Sequence, residues 1–285
     1  MSKVYLVGAG PGAPDLLTLR AARMIEKADI VFYDALVHPD TVALAVNARK
    51  VAVGKRAGQV STDQRFINRQ LVEAGRHYEN VVRLKGGDPM MFGRAQEEID
   101  ALKQAGIKYE VVPGITAALA ASASLGVSLT RRGVARTVSF VTPRIGPNEV
   151  ESDWLASAAA ADSTILYMAA GQAPQIAFAL IGAGKRSSTP VAIVENASLE
   201  NEQRIFTTLA GLTASSLKLA GPAVLCVGDV FAPPATAVSP ADAHESRHGE
   251  ARVSGGVPAH TPRATNRLEM QFEPSEPHAS RCQAG

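Results

Sequence analysis

Residues 83–94, Arg-Leu-Lys-Gly-Gly-Asp-Pro-Met-Met-Phe-Gly-Arg, bring three glycines, a carboxylate and three cations to one short stretch. Gly86 and Gly87 lack a Cβ, which frees the backbone angles and lets a ligand approach the main chain closely. Asp88 adds a carboxylate and Pro89 stiffens the turn. A strand-like run over 80–84 leads in and a helix-like run follows from Gly93. The loop therefore falls beyond the carboxyl end of a strand, where open α/β sheets bind ligands. A plain strand-to-helix turn accounts for the same residues equally well.

A second glycine loop, Gly8-Ala9-Gly10-Pro11-Gly12-Ala13-Pro14-Asp15, follows the apolar run Val4–Val7. Gly8, Gly10 and Ala13 occupy the slots of a dinucleotide fingerprint. Pro11 and Pro14 remove N–H donors that a pyrophosphate needs, and Pro14 sits where the helix should open. A nicotinamide oxidoreductase is thus poorly supported, and the loop reads as a backbone wall for some other ligand. Asp34 also closes an apolar run, either presenting a carboxylate at the ligand edge or serving as a turn residue. Lys55 follows Val51–Gly54 in the same way, and Lys55-Arg56 is suited to carboxylates.

The elements that must position these residues show in the hydrophobic pattern. Strands read at 3–7, 29–33, 49–53, 80–85 and 108–112, and helices at 15–27, 39–47, 63–76 and 94–105. This alternation predicts a largely parallel sheet covered on both faces. Pro113-Gly114 forms a hinge, and an Ala- and Ser-rich helix spans 115–125. A second α/β unit follows, with strands near 136–142, 163–168, 190–195, 202–208 and 222–228. Its helices read at 151–160, 172–182 and 209–219. No helix separates 190–195 from 202–208, so a hairpin and a mixed sheet are expected. The domains expected are 1–113, 114–234 and a disordered tail, 235–285, which holds one aromatic, Phe272, and five prolines.

Composition excludes several classes. The 285 residues are 46% hydrophobic and carry a net charge of +2, so neither nucleic acid nor a charged membrane surface is an expected partner. No apolar run is long enough for a membrane span. Only His38 and His77 of six histidines precede residue 240, and Cys226 lies in an apolar run, so no metal site is expected. Two scattered cysteines and no visible signal segment point to a cytoplasmic protein.

Taken together, the motifs resemble the tetrapyrrole methylase family, and within it the uroporphyrinogen-III C-methyltransferases. The matching stretches are Val4–Gly12, Leu16–Ala22, Tyr33–Val37, Val53–Gly58, Val82–Pro89, Phe92–Arg94 and Val111–Ala117. The resemblance covers roughly residues 3–232. It implies two α/β domains in a homodimer and transfer of methyl groups from S-adenosylmethionine (SAM), with no metal. The implied acceptors are C2 and C7 of uroporphyrinogen III, giving precorrin-2 for sirohaem or cobalamin synthesis. It assigns SAM binding to Pro11, Gly86, Gly87, Asp88, Met91, Thr116, Ala117, Met168, Ala197 and Ala223. Read alone, Met91 and Met168 suit core packing and Thr116 suits a helix N-cap. The resemblance also implies that Asp34 accepts a proton and Lys55 donates one.

Uroporphyrinogen carries eight carboxylates, so arginines are expected around it. The candidates are Arg56, Arg94, Arg131, Arg132 and Arg136, with Arg94 favoured because it directly follows the glycine loop. The chain departs from the family at Ala13, at Ala95 and Gln96, at Ser124, at Arg131 and at Pro143-Arg144, where Thr-Gly-His is usual. These changes concern the tetrapyrrole side more than the SAM side. They leave open another precorrin C-methyltransferase, or a SAM- or tetrapyrrole-binding protein with weakened catalysis.

Overall fold

A computed structural model describes residues 2–54, 64–146, 153–214 and 219–233. The expected tail at 235–285 lies outside the described residues. The first half builds one sheet from β1 (Lys3–Gly8), β2 (Ile30–Tyr33), β3 (Arg49–Ala52), β4 (Asn80–Lys85) and β5 (Tyr109–Val112). All its pairings are parallel, in the order β3-β2-β4-β1-β5. Alternate residues of each strand enter opposite cores. Val4, Leu6 and Val81 face α3 (Gln64–His77) and α4 (Ala95–Gln104). Val7, Val82 and Leu84 face α1 (Leu19–Glu26) and α2 (Pro39–Ala43). Helices on both faces explain why the strands read as continuous apolar runs.

Strands β1 and β4 are neighbours, yet the chain leaves β1 for α1 on one face and β4 for α4 on the other. This makes a switch point, and the two glycine loops stand on either side of it. The predicted helix at 15–27 is divided. Pro14–Leu16 makes one 3-10 turn, and α1 starts behind Thr18, whose hydroxyl accepts from the Ala21 N–H at 3.1 Å. The predicted helix at 39–47 shrinks to Pro39–Ala43, capped by His38 Nδ1 accepting from the Asp40 N–H at 3.2 Å.

The second half has its own sheet of β6 (Val138–Val141), β7 (Ser163–Leu166), β8 (Pro190–Glu195), β9 (Gln203–Thr208) and β10 (Ala223–Val227). The order is β6-β7-β10-β8-β9, with β6 and β7 parallel and the other pairs antiparallel. The expected hairpin of β8 and β9 is present. One face packs on α6 (Trp154–Ala160), α7 (Ala173–Gly182) and α8 (Leu209–Ala214). The other packs on α5 (Ala117–Leu125) and on Phe231. Cys226 is fully buried there, and burial pushes its thiol up to about 12. No helix among the described residues is long and apolar enough to cross a membrane.

The ends of β1, β4 and β5 touch through backbone alone. A Cβ on Gly8 would stand 2.5 Å from the Gly114 nitrogen and 2.8 Å from the Gly87 oxygen. Gly106, by contrast, has φ +67° with nothing within 4 Å of its would-be Cβ. Gly106→Ala should cost about 1 kcal/mol, the left-handed strain alone. Gly114→Ala should cost about 3 kcal/mol, because backbones must separate. Urea unfolding of both variants checks this, and equal midpoints would show that the three backbones need not touch.

Candidate active site

The two glycine loops hold each other. The Gly87 N–H donates to the Gly10 carbonyl at 2.7 Å, the Gly10 N–H returns to the Gly87 carbonyl at 3.2 Å, and the Ala9 N–H donates to the Lys85 carbonyl at 2.7 Å. Gly87 has φ +68° and Gly10 has φ +74°, angles that favour glycine. Asp88 fixes the bend from within. Its Oδ1 accepts from the Met90 N–H at 2.8 Å and its Oδ2 from the Gly114 N–H at 2.9 Å. The first loop also docks on the second half, where the Ala13 N–H donates to Ser198 Oγ at 3.1 Å. These bonds consume the N–H groups of Ala9, Gly10 and Ala13, while Pro11 and Pro14 have none. A pyrophosphate would find few donors here, and α1 opens too late to supply others.

Between the loops and the second sheet lies a cavity of about 510 Å³, within the usual range for small-molecule sites. Pro11, Gly86, Gly87, Asp88 and Met91 line it from the first half. Thr116 and Ala117 line it at the start of α5, and Met168, Ala197 and Ala223 from the second sheet. All ten residues assigned to SAM by resemblance thus meet in one place. Thr116 stands at the N-cap position of α5 but makes no side-chain cap. Its hydroxyl bonds the Tyr167 hydroxyl instead, at 2.6 Å.

The wall also contains residues that sequence reasoning missed. Tyr167 packs its ring 4.9 Å from Phe92, and burial holds its phenol above the usual range. Asn196 and Gly221 line the cavity too, as does Arg144, which the sequence marked only as a departure from the family. Behind them, buried Glu195 accepts from the Ala220 N–H at 2.6 Å and from the Gly221 N–H, which shapes the turn before β10. A signal did exist for part of this set. Asn196 adopts φ 52° directly after β8, and Asn at a strand end is the usual non-glycine residue for such a bend.

Asp34 stands beyond β2, and its Oδ1 accepts from Arg83 Nη2 at 2.6 Å. Arg83 is buried and reaches in the other direction to Glu98 Oε1 at 2.9 Å through Nε. Lys85 Nζ lies 3.1 Å from Glu98, whose side chain is fully buried. Two cations and two carboxylates thus form one linked group beneath the glycine loop. Burial opposes the Arg83 charge, but Asp34 and Glu98 hold its guanidinium above the ordinary range. Burial, joined by Arg83, pushes the Lys85 ammonium below its ordinary range against the pull of Glu98.

Lys55 and Arg56 lie outside the described residues. Arg94 does not line the cavity. It adopts φ 55° before α4 and forms a two-pronged pair with Glu97 at 2.7 and 2.9 Å. Arg131, Arg132 and Arg136 are exposed on the turn before β6, also away from the cavity wall. No group of three or more His, Cys, Asp and Glu among the described residues is placed to hold a metal.

Comparison with known proteins places this geometry. The family model for tetrapyrrole (corrin/porphyrin) methylases matches residues 3–213. A sirohaem synthase from Chromobacterium violaceum is 44% identical over 230 residues, covering 80% of this chain and 49% of its own length. One from Psychrobacter cryohalolentis is 42% identical over 233 residues, covering 81% and 45%. The chain therefore spans about half the length of these relatives. Among solved structures, the uroporphyrin-III C-methyltransferase of Thermus thermophilus in complex with S-adenosylhomocysteine has a TM-score of 0.72 at 38% identity, covering 80% of this chain and 98% of that one. A cobalt precorrin-4 methyltransferase has a TM-score of 0.71 at 28% identity, covering 81% and 96%.

The buried charges give a testable consequence. Glu98→Gln leaves two cations with one carboxylate and should destabilise the fold by about 3–5 kcal/mol. For Lys85 the folded state favours the neutral amine, so its burial penalty is full below the lowered folded value. That penalty is relieved as pH rises toward 10.5, the ordinary value. Wild-type stability relative to Lys85→Met should therefore increase between neutral pH and pH ~10 in urea unfolding. A flat or falling difference would place the amine in water instead.

Proposed function

Because the chain belongs to the tetrapyrrole (corrin/porphyrin) methylases, we propose that the cavity binds SAM and that the protein methylates uroporphyrinogen III at C2 and C7, yielding precorrin-2. The observation that carries this reading is the convergence of ten residues, from Pro11 to Ala223, on one cavity of about 510 Å³. The cavity also fits the donor chemically. Its wall is mostly apolar, which suits adenine, and the bare backbone at Gly86 and Gly87 admits close contact with the ligand. Asp88 offers the one carboxylate on that wall among the described residues, suited to a cationic centre.

When bound, SAM supplies a methyl group already activated on a sulfonium. The protein's task is to hold the acceptor carbon in line with it. It must also receive the proton that the pyrrole loses. Asp34 is assigned that acceptor role. It sits at the sheet edge with 31% of its side chain exposed, and Arg83 fixes the position of its carboxylate. Lys55 is assigned the return of a proton, and Arg56, Arg94, Arg131 and Arg132 the carboxylates of the macrocycle. Arg94, with 53% of its side chain exposed, can exchange Glu97 for a substrate carboxylate at small cost. The working form is proposed to be a cytoplasmic homodimer.

Incubation with uroporphyrinogen III and SAM should produce precorrin-2, read by absorbance after oxidation to sirohydrochlorin. Methylation of a different precorrin in the same assay would move the acceptor and keep the donor. Asp34→Asn should lower kcat at least about 100-fold with SAM affinity unchanged. Full turnover in that variant would remove Asp34 from proton transfer.

A further inference from the structure

Among the described residues, the cavity wall carries one cation, Arg144, and one carboxylate, Asp88. Both Asp88 oxygens are engaged by backbone N–H groups. Arg144 has no such partner. Its Nη1 lies 3.9 Å from the Met168 sulfur, a weak acceptor, and its backbone N–H donates to Thr142 Oγ1 at 3.3 Å. The ion pairs among the described residues do not include Arg144. The loop that carries it leaves β6 and lines the cavity through Arg144. An exposed guanidinium beside a largely apolar wall, with a thioether as its side-chain contact, can turn its donors to a ligand anion.

We propose that Arg144 is a specificity residue of this site, binding a ligand carboxylate in the forked, two-bond manner of guanidinium. The inference rests on the methyltransferase reading, and the carboxylate has two possible sources there. One is the amino-acid end of SAM, the other an acetate or propionate arm of the macrocycle. Residue type matters at this position, and histidine is the informative contrast. A histidine carries its charge only below a pH of about 6.5, whereas arginine is charged throughout the physiological range. Replacing one by the other converts a pH-sensitive anion contact into a constant one.

The test uses the full chain, titrated calorimetrically with S-adenosylhomocysteine and with its decarboxylated analogue, alongside KM for uroporphyrinogen III. If the donor's carboxylate is the ligand, Arg144→Ala weakens S-adenosylhomocysteine about tenfold and leaves the analogue unchanged. If the macrocycle's arm is the ligand, KM for uroporphyrinogen rises about tenfold and S-adenosylhomocysteine binding is unchanged. In either case Arg144→His shows affinity that falls between pH 6 and 8, while the wild type stays flat. Equal weakening of S-adenosylhomocysteine and its analogue would reduce Arg144 to packing, and no change in any ligand would also overturn the proposal. A wild-type protein that neither binds S-adenosylhomocysteine nor methylates uroporphyrinogen would instead overturn the functional reading, and this inference with it.

Discussion

The site depends on a contact that no side chain on Gly8 or Gly114 could survive: these two strand-end glycines meet each other and the Gly87 carbonyl. The parallel sheet places β1 between β4 and β5, so the chain emerges from all three at one edge. Ordinary residues would hold those exits apart by the width of their Cβ atoms. Glycine lets them close, and the mutual bonds of Gly10 and Gly87 extend the sheet by one rung beyond its strands. Asp88 then ties β4's exit to β5's through the Gly114 N–H. The result is a rigid floor of main chain, which is what a ligand contact through backbone requires.

Beneath that floor the structure uses charge differently. The group of Asp34, Arg83, Glu98 and Lys85 occupies the face where α3 and α4 pack, a region otherwise apolar. Two cations from β4 on one face of the sheet would repel each other, and the fully buried Glu98 on α4 compensates both. Arg83 is the hinge of the arrangement because its forked guanidinium serves two carboxylates at once, one buried and one facing outward. Asp34 is thereby positioned from behind while 31% of its side chain stays exposed. A buried ion network adds little net stability compared with apolar packing. Its value here lies in orienting a group at the ligand edge without filling that edge with protein.

Much of this was legible in the chain. Strand alternation with helices follows from apolar runs, and those runs are long because each sheet is covered on both faces. The first-half site was legible for the same reason: its glycines and Asp88 are contiguous, and a loop after a strand can only be at the sheet edge. Three things were not. Thr18 starts α1 later than periodicity implied, since a cap is a choice between neighbouring polar residues, and α2 ends at Ala43, short of the expected 47. Thr116 occupies the cap position by backbone yet turns to Tyr167, a partner 51 residues away that no local pattern announces. Arg94 adjoins the glycine loop in sequence, but its left-handed backbone and Glu97 turn it off the cavity wall. Wall residues of the second half come in short runs on separate loops, at 167–171, 194–199 and 221–224, each too brief to form a motif.

The left-handed residues explain where this architecture concentrates its strain. Phe92, Arg94, Met168, Asn196 and Ser198 are the non-glycine residues with positive φ among those described. Three of them line the cavity, Arg94 follows its glycine loop, and Ser198 holds the first loop to the second half. Each such angle costs about 1–3 kcal/mol where the residue is not suited to it. Two extensive apolar cores, one per sheet, over-determine the surrounding backbone and keep the bends in place. Phe92 and Met168, both substantially exposed, sit at two of these bends and line the cavity. Strain is thus concentrated on the cavity wall and the loops that hold it, and is absent from the strands.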